Sequence, residues 1–136
     1  MAPANKFILI VDDDPDILNA MEMALSLEGF QVTAANNVAT ALKAIAQVAP
    51  SIVFLDYYLA GDNPAAFVRR ARDLYPQITI VLMTGAPDAG EKAKNVGLAY
   101  YLPKPFALDN LLGVFRRCLA REAQRQRRTL RLAPSV

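Results

Sequence analysis

The sequence predicts an α/β fold, a doubly wound (βα)5 unit with one five-stranded parallel sheet covered by helices on both faces. Three observations carry this prediction. Short apolar runs alternate strictly with segments of helical period, five times along the chain. The runs are apolar at consecutive positions, as strands buried on both faces require. The 136 residues, 54% hydrophobic and 21% charged, suffice for one domain with a sizeable core.

Phe7 to Val11 reads as the first strand. Asp14-Pro15 follows as an N-cap and first-turn proline, and Ile17, Leu18, Met21, Ala24 and Leu25 recur at helical spacing behind it. Gly29 stands where a left-handed C-cap belongs, before a second, weaker strand from Phe30 to Ala35. Asn37 caps the next helix, with a stripe of Val38, Ala41, Leu42, Ile45 and Val48 that stops at Pro50. The third strand is Ile52 to Leu55, ending at Asp56. Asn63-Pro64 repeats the cap-and-proline signal ahead of Phe67, Val68, Ala71 and Leu74, and Pro76 closes that helix. Ile78 to Met83 forms a fourth strand, ending at Thr84-Gly85. The helix from Asp88 to Val96 has the weakest pattern, with few large apolar residues. Tyr100 to Leu102 is a short fifth strand before Pro103-Lys104-Pro105. The last helix carries Leu108, Leu111, Leu112, Phe115, Cys118 and Leu119, and the core is expected to end there.

Composition excludes several chemistries. The chain has no histidine, which removes Ser-His and Cys-His catalysis and His-ligated zinc. Its one cysteine, Cys118, allows no internal disulfide and reads as a core residue. No apolar run approaches the length of a membrane span or a signal-peptide core, so a cytoplasmic location is expected. The net charge of +2 hides a split. Residues 116–136 carry seven arginines against Glu122, a net +6, while residues 1–115 carry eight basic against twelve acidic residues, a net −4. The expected organisation is therefore a domain over residues 1–120 and a basic tail or linker over 121–136.

In open α/β sheets, ligands bind beyond the carboxyl ends of the strands. Those positions hold Asp12, Asp13 and Asp14 after the first strand, Asp56 after the third, Thr84 after the fourth and Lys104 after the fifth. Carboxylates converging without histidine or cysteine suit a hard, oxygen-ligated cation such as Mg²⁺ or Mn²⁺. A lysine and a hydroxyl at the rim supply what a phosphoryl group needs, a point positive charge and a hydrogen-bond donor. Helix capping accounts for Asp14 and the helix dipole for Asp16, but two further acids at one strand end need a partner charge.

The segments Ile8-Leu9-Ile10-Val11-Asp12-Asp13, Val53-Phe54-Leu55-Asp56, Met83-Thr84-Gly85 and Tyr101-Leu102-Pro103-Lys104-Pro105-Phe106, in this order and at strand ends, resemble a response-regulator receiver domain of two-component signalling. The likeness to this CheY-like family covers residues 6 to 119. It implies the flavodoxin-like strand order 2-1-3-4-5. It also implies that Asp56 is the phosphoacceptor, with Asp13 holding Mg²⁺ directly, Asp12 through water, and Asp56 and the backbone carbonyl of Tyr58 completing the ligands. By the same resemblance Thr84 and Lys104 bind the phosphoryl oxygens, and Tyr101 turns inward when Thr84 moves. Its alternative is an ordinary half-buried strand tyrosine, and Tyr100 is expected to pack on a helix. The implied partners are a histidine kinase or histidine phosphotransfer protein as donor, and a downstream effector or a missing output domain as target. A homodimer formed on phosphorylation is also compatible.

The chain departs from the family pattern after the acceptor, where Ala60 and Pro64 stand in place of the usual proline and glycine. Bulky Tyr58 lies near the path of attacking water and is expected to slow hydrolysis of an acyl phosphate. Two other functions compete. An interaction module that never takes phosphate would have lost one of the site residues, and all are present. A haloacid-dehalogenase-like phosphatase would use Asp12 as nucleophile and Asp14 as general acid, but it would leave Asp56 unexplained. The arginine tail has three readings: a solvated helix extension, a linker, or a nucleic-acid contact. Arginines without interleaved aromatics or an independent fold do not make a sequence-specific nucleic-acid binder, so direct binding to nucleic acid is not expected.

Overall fold

The computed structural model describes residues 7–59 and 61–132. Five strands, β1 (Phe7–Val11), β2 (Gln31–Ala35), β3 (Ile52–Asp56), β4 (Ile80–Thr84) and β5 (Tyr100–Pro103), alternate with five helices. The helices are α1 (Pro15–Ser26), α2 (Val38–Gln47), α3 (Pro64–Leu74), α4 (Ala89–Asn95) and α5 (Leu108–Leu132). All strand pairs are parallel, in the order β2-β1-β3-β4-β5. This is the doubly wound architecture and the strand order expected. Because the order reverses on either side of β1, the ends of β1 and β3 lie side by side at the sheet's switch point.

Strand alternation divides the interior into two cores. On one face Leu9 and Val11, Val53 and Leu55, and Leu82 pack with Ala41, Ile45, Phe67 and Ala71 of α2 and α3. On the other, Ile8 and Ile10, Phe54, Val81 and Met83 pack with Met21 and Leu25 of α1 and with Leu111, Val114, Phe115 and Cys118 of α5. Phe115 meets Phe30 edge-on, with ring centroids 5.1 Å apart at 82°. The caps are those expected. Asp14 Oδ1 accepts from Asp16 N–H (2.9 Å), Asn37 Oδ1 from Thr40 N–H (2.8 Å) and Asn63 Oδ1 from Ala65 N–H (2.9 Å), and Pro15 and Pro64 open their helices. Gly29 takes a positive φ of 90° after α1.

Several expectations need correction. Ile78 donates its N–H back to Tyr75 O (3.0 Å) in a turn, so β4 begins at Ile80 and takes in Thr84. β2 begins at Gln31, although Phe30 before it is buried. Val48, Leu74 and Leu108, assigned to core stripes, are exposed, each at the end of its helix. Val114, not assigned to the stripe of the last helix, is buried. That helix also does not stop where its apolar stripe does: α5 runs 25 residues, to Leu132. Past Leu119 it is tied to the body by polar contacts. Thr79 Oγ1 donates to Glu122 Oε2 (3.4 Å), Arg125 Nη1 donates to Gln77 O (2.9 Å), and the Arg121 guanidinium lies 5.9 Å from the centre of the Tyr100 ring.

Cys118 is buried in the second core, and that burial pushes its thiol up to about 12. The thiolate is the reactive species. Native protein at pH 8 is therefore expected to resist iodoacetamide and to react promptly once unfolded in denaturant. Rapid labelling of the native state would contradict this packing. Phe115→Ala, which empties the centre of the same core, should cost about 3–5 kcal/mol in chemical unfolding.

Candidate functional site

The carboxyl ends of the strands converge on one acidic cluster. Asp12 follows β1 directly and is fully buried, its N–H donating to Ala35 O (3.0 Å). Asp13, next in the chain, faces solvent. Asp56 ends β3 and is 4% exposed. One carboxylate oxygen from each of Asp12, Asp13 and Asp56 lies within 4.8 Å of the others. This is an all-oxygen donor set with one open side, which fits a hard divalent cation that keeps part of its water shell.

Lys104 compensates the cluster. Its Nζ is 2.7 Å from Asp12 Oδ2 and 3.2 Å from Asp56 Oδ1, so a single ammonium bridges two buried acids. The other contacts are local: Asp12 Oδ1 accepts from Asp14 N–H (2.9 Å) and Asp56 Oδ1 from Tyr58 N–H (3.3 Å). Burial first, and the Asp12 charge second, hold the Asp56 carboxyl above its ordinary pKa, while Lys104 and the Tyr58 amide pull the other way. Burial opposes the charge on Lys104, but its hydrogen bond to Asp12 and the charges of Asp56 and Asp12 outweigh that and hold its pKa above the usual lysine value. The backbone of the lysine is tied to β4, its N–H donating to Thr84 O (2.8 Å).

The other predicted residues surround this centre in different ways. Thr84 is fully buried at the end of β4, and its Oγ1 accepts from Ala86 N–H (3.1 Å), so the hydroxyl is anchored to the following loop. Tyr101 points outward, 43% exposed, with its ring over α4. A Cβ on Gly90 would stand 3.4 Å from the Tyr101 ring, an ordinary van der Waals contact, so the ring lies directly on this turn of α4. Tyr58 is 60% exposed and meets Tyr57 edge-on at 4.8 Å, and Lys92 lies over the Tyr57 ring. Tyr100 is half-buried against the second core, under Arg121 of α5. Asp14 caps α1 and stays outside the three-acid group, and Asp16 lies exposed in the first helical turn. Ala60, where the loop departs from the family pattern, lies outside the described residues; Pro64 sits at the start of α3.

Two contributors escaped the sequence. Asp62 Oδ2 accepts from Val38 N–H (3.0 Å), tying the loop after Asp56 to the start of α2. A lone acid in a loop carries no signal of such a contact 24 residues away. Gly90 was equally silent, because a glycine inside a helix matters here only through the ring that covers it.

Comparison with known proteins agrees with this geometry. The model of the response regulator receiver domain matches residues 8–116, and the chain belongs to that family. It is 30% identical over 128 residues to the DNA-binding transcriptional regulator NtrC of Escherichia coli (strain K12), covering 92% of this chain and 27% of that protein. It is 33% identical over 116 residues to the response regulator MprA of Mycobacterium sp. (strain KMS), covering 84% of this chain and 50% of MprA. The chain thus spans half or less of the length of these relatives. Among solved structures, the receiver domain of NtrX from Brucella abortus superposes with a TM-score of 0.76 at 33% identity, over 83% of this chain and 98% of that one. The signal receiver domain of an HD domain-containing protein from Pseudomonas fluorescens Pf-5 gives 0.82 at 27% identity, over 94% and 96%. Receiver domains are signalling modules of two-component systems, and the family binds Mg²⁺ at an acidic pocket. Among the described residues no helix is long and apolar enough to cross a membrane.

The raised pKa of Asp56 has a consequence for stability. The folded protein holds this proton more tightly than the unfolded chain. The contribution of Asp56 is therefore favourable below the ordinary value of 3.8 and is lost as pH rises through the raised folded value. In chelator at pH 7, Asp56→Asn should melt roughly a few degrees above the parent protein, with the gap closing in acid. An equal or lower melting temperature at pH 7 would contradict the charge balance described for the cluster.

Proposed function

We propose that this chain is a phosphorylation-controlled switch in which Asp56 accepts a phosphoryl group from a phosphohistidine on a histidine kinase or phosphotransfer protein. The observation that carries the reading is the Lys104 bridge: one ammonium spans Asp12 and Asp56 while Asp13 stands open to solvent beside them. Asp13, Asp56 and the backbone carbonyl of Tyr58 would hold Mg²⁺ (or Mn²⁺), with Asp12 acting through a bound water. When bound, that ion supplies positive charge against the carboxylates and the incoming phosphoryl oxygens.

The chain's own groups do the rest. An Asp56 carboxylate oxygen forms a bond to phosphorus as the P–N bond of the donor breaks, and the imidazole leaves with the electron pair and takes up a proton. Lys104, already 3.2 Å from Asp56, pairs with the new phosphoryl oxygens. The Thr84 hydroxyl, whose oxygen accepts from Ala86 N–H, has its own proton free to donate to them. Space freed at Thr84 would let the Tyr101 ring leave Gly90 and turn inward, altering the surface of α4 and β5 that a partner reads. The output is binding to a downstream effector, to an output domain or to a second copy, with no turnover of an external substrate. Such a relay would operate in the cytoplasm.

Intact-protein mass after incubation with acetyl phosphate tests the reading. The expected result is a gain of one phosphoryl group that requires Mg²⁺ and is absent from Asp56→Asn. A gain that persists in Asp56→Asn would overturn the assignment of the acceptor. No gain in folded, Mg²⁺-binding protein would point to an interaction module that never takes phosphate. Exposed Tyr58 stands two residues from the acceptor, and on this reading its bulk hinders the approach of water. Tyr58→Asn is expected to speed loss of the phosphoryl group by about tenfold, equivalent to about 1.4 kcal/mol off the barrier. An unchanged rate would remove Tyr58 from that role.

A further inference from the structure

At the opposite end of the sheet from the acid cluster, the amino ends of β4 and β5 open into a cleft of about 190 Å³. Three arginines line it: Arg72 from the last turn of α3, and Arg121 and Arg125, one turn apart on α5. Gln77, Thr79 and Tyr100 form part of its wall.

The guanidinium groups are held chiefly by neutral partners. Arg72 Nη2 donates to Gly97 O (2.6 Å), Arg125 Nη1 donates to Gln77 O (2.9 Å), and Arg121 stacks over Tyr100. Among the ion pairs of the described residues only one involves a cleft arginine, Arg125 with Glu122 at 3.0 Å, and Glu122 also accepts from Thr79. Three positive charges are thus set against one carboxylate. Each guanidinium carries five N–H donors, and these contacts use only a minority of them.

Size and chemistry narrow the ligand. The cleft is smaller than the ~300 Å³ at which sites for drug-sized molecules begin. It therefore suits a small oxyanion or the charged end of a larger molecule. The planar fork of arginine matches phosphate oxygens in pairs, as lysine does not. Residues 116–131 hold seven arginines and no lysine. We propose that this cleft binds a phosphate dianion, either inorganic phosphate or the phosphate of a monoester, through Arg72, Arg121 and Arg125. The inference stands apart from the chemistry of Asp56, which lies at the other end of the strands.

The test is an NMR titration of the full chain, free of divalent ions and at constant ionic strength. Inorganic phosphate is added in one arm, O-phosphoserine in a second and chloride in a third. The expected result is a saturable shift of the Thr79, Gly97 and Tyr100 amides with phosphate, absent with chloride. Saturation by phosphoserine as well would identify a monoester site, and saturation by inorganic phosphate alone a site for the free ion. Arg72→Gln and Arg121→Gln should each weaken binding about tenfold or more, as loss of a charge-assisted hydrogen bond does. Both variants should keep the amide shift dispersion of the parent, which shows that they fold, and Arg127→Gln on the outer face of α5 should bind normally. Shifts that fail to saturate, that chloride reproduces, or that survive both variants would overturn the proposal.

Discussion

The site depends on one interaction, the bridge from Lys104 to two buried carboxylates. Asp12 and Asp56 lie side by side because β1 and β3 are neighbours in a parallel sheet, and both strands release their chains at the same edge. Two acids buried there repel each other, and burial holds the Asp56 carboxyl above its ordinary pKa. Lys104 Nζ, 2.7 and 3.2 Å from them, makes the ionised pair tenable. Among the described residues no buried side-chain nitrogen or oxygen lacks a partner, so the arrangement is closed without being neutral. One ammonium against Asp12, Asp13 and Asp56 leaves a surplus of negative charge, and a divalent cation fits that surplus.

The same economy explains how a small event at Asp56 can reach the surface. Thr84 ends β4 and Lys104 directly follows the neighbouring β5, and the two are joined through the backbone, Lys104 N–H to Thr84 O. Thr84 is anchored by its hydroxyl to the next loop, and the Tyr101 ring, three residues before Lys104, rests on α4 at Gly90. The fold supplies strands packed on both faces by two buried cores, so a switch at Asp56 would act through the loops and side chains at one edge.

Much of this was legible in the sequence, for definite physical reasons. An apolar run followed at once by Asp12-Asp13, and another ended by Asp56, mark strand ends because a charge cannot continue into a two-faced core. Asn37, Asn63 and the prolines after Asp14 and Asn63 mark helix starts through local hydrogen bonding alone, and they were found there. What escaped depends on contacts distant in sequence or on side-chain rotation. The pattern of α5 ended at Leu119, yet the helix continues because Ala, Arg, Glu and Gln are good helix formers and need no buried face. Glu122 and Arg125 then tie it to Thr79 and Gln77, contacts that apolar periodicity does not register. Val48, Leu74 and Leu108 fit their stripes but are exposed at helix ends, where periodicity does not tell whether the core extends that far. The contact of Thr84 with Ala86 N–H and the lie of the Tyr101 ring on α4 depend on side-chain rotation, which residue identity does not register.

The most direct measurement is a crystal structure of the chain with Mg²⁺ and beryllofluoride, a mimic of the phosphoryl group. The expected result has beryllium on an Asp56 carboxylate oxygen and Mg²⁺ against Asp13, Asp56 and the Tyr58 carbonyl. Lys104 should face the fluorides, and the Thr84 hydroxyl should be turned from Ala86 toward them. Beryllofluoride absent from Asp56 while Mg²⁺ occupies the cluster, or bound there with Thr84 and Lys104 unmoved, would contradict the assignment of this site as a phosphorylation switch.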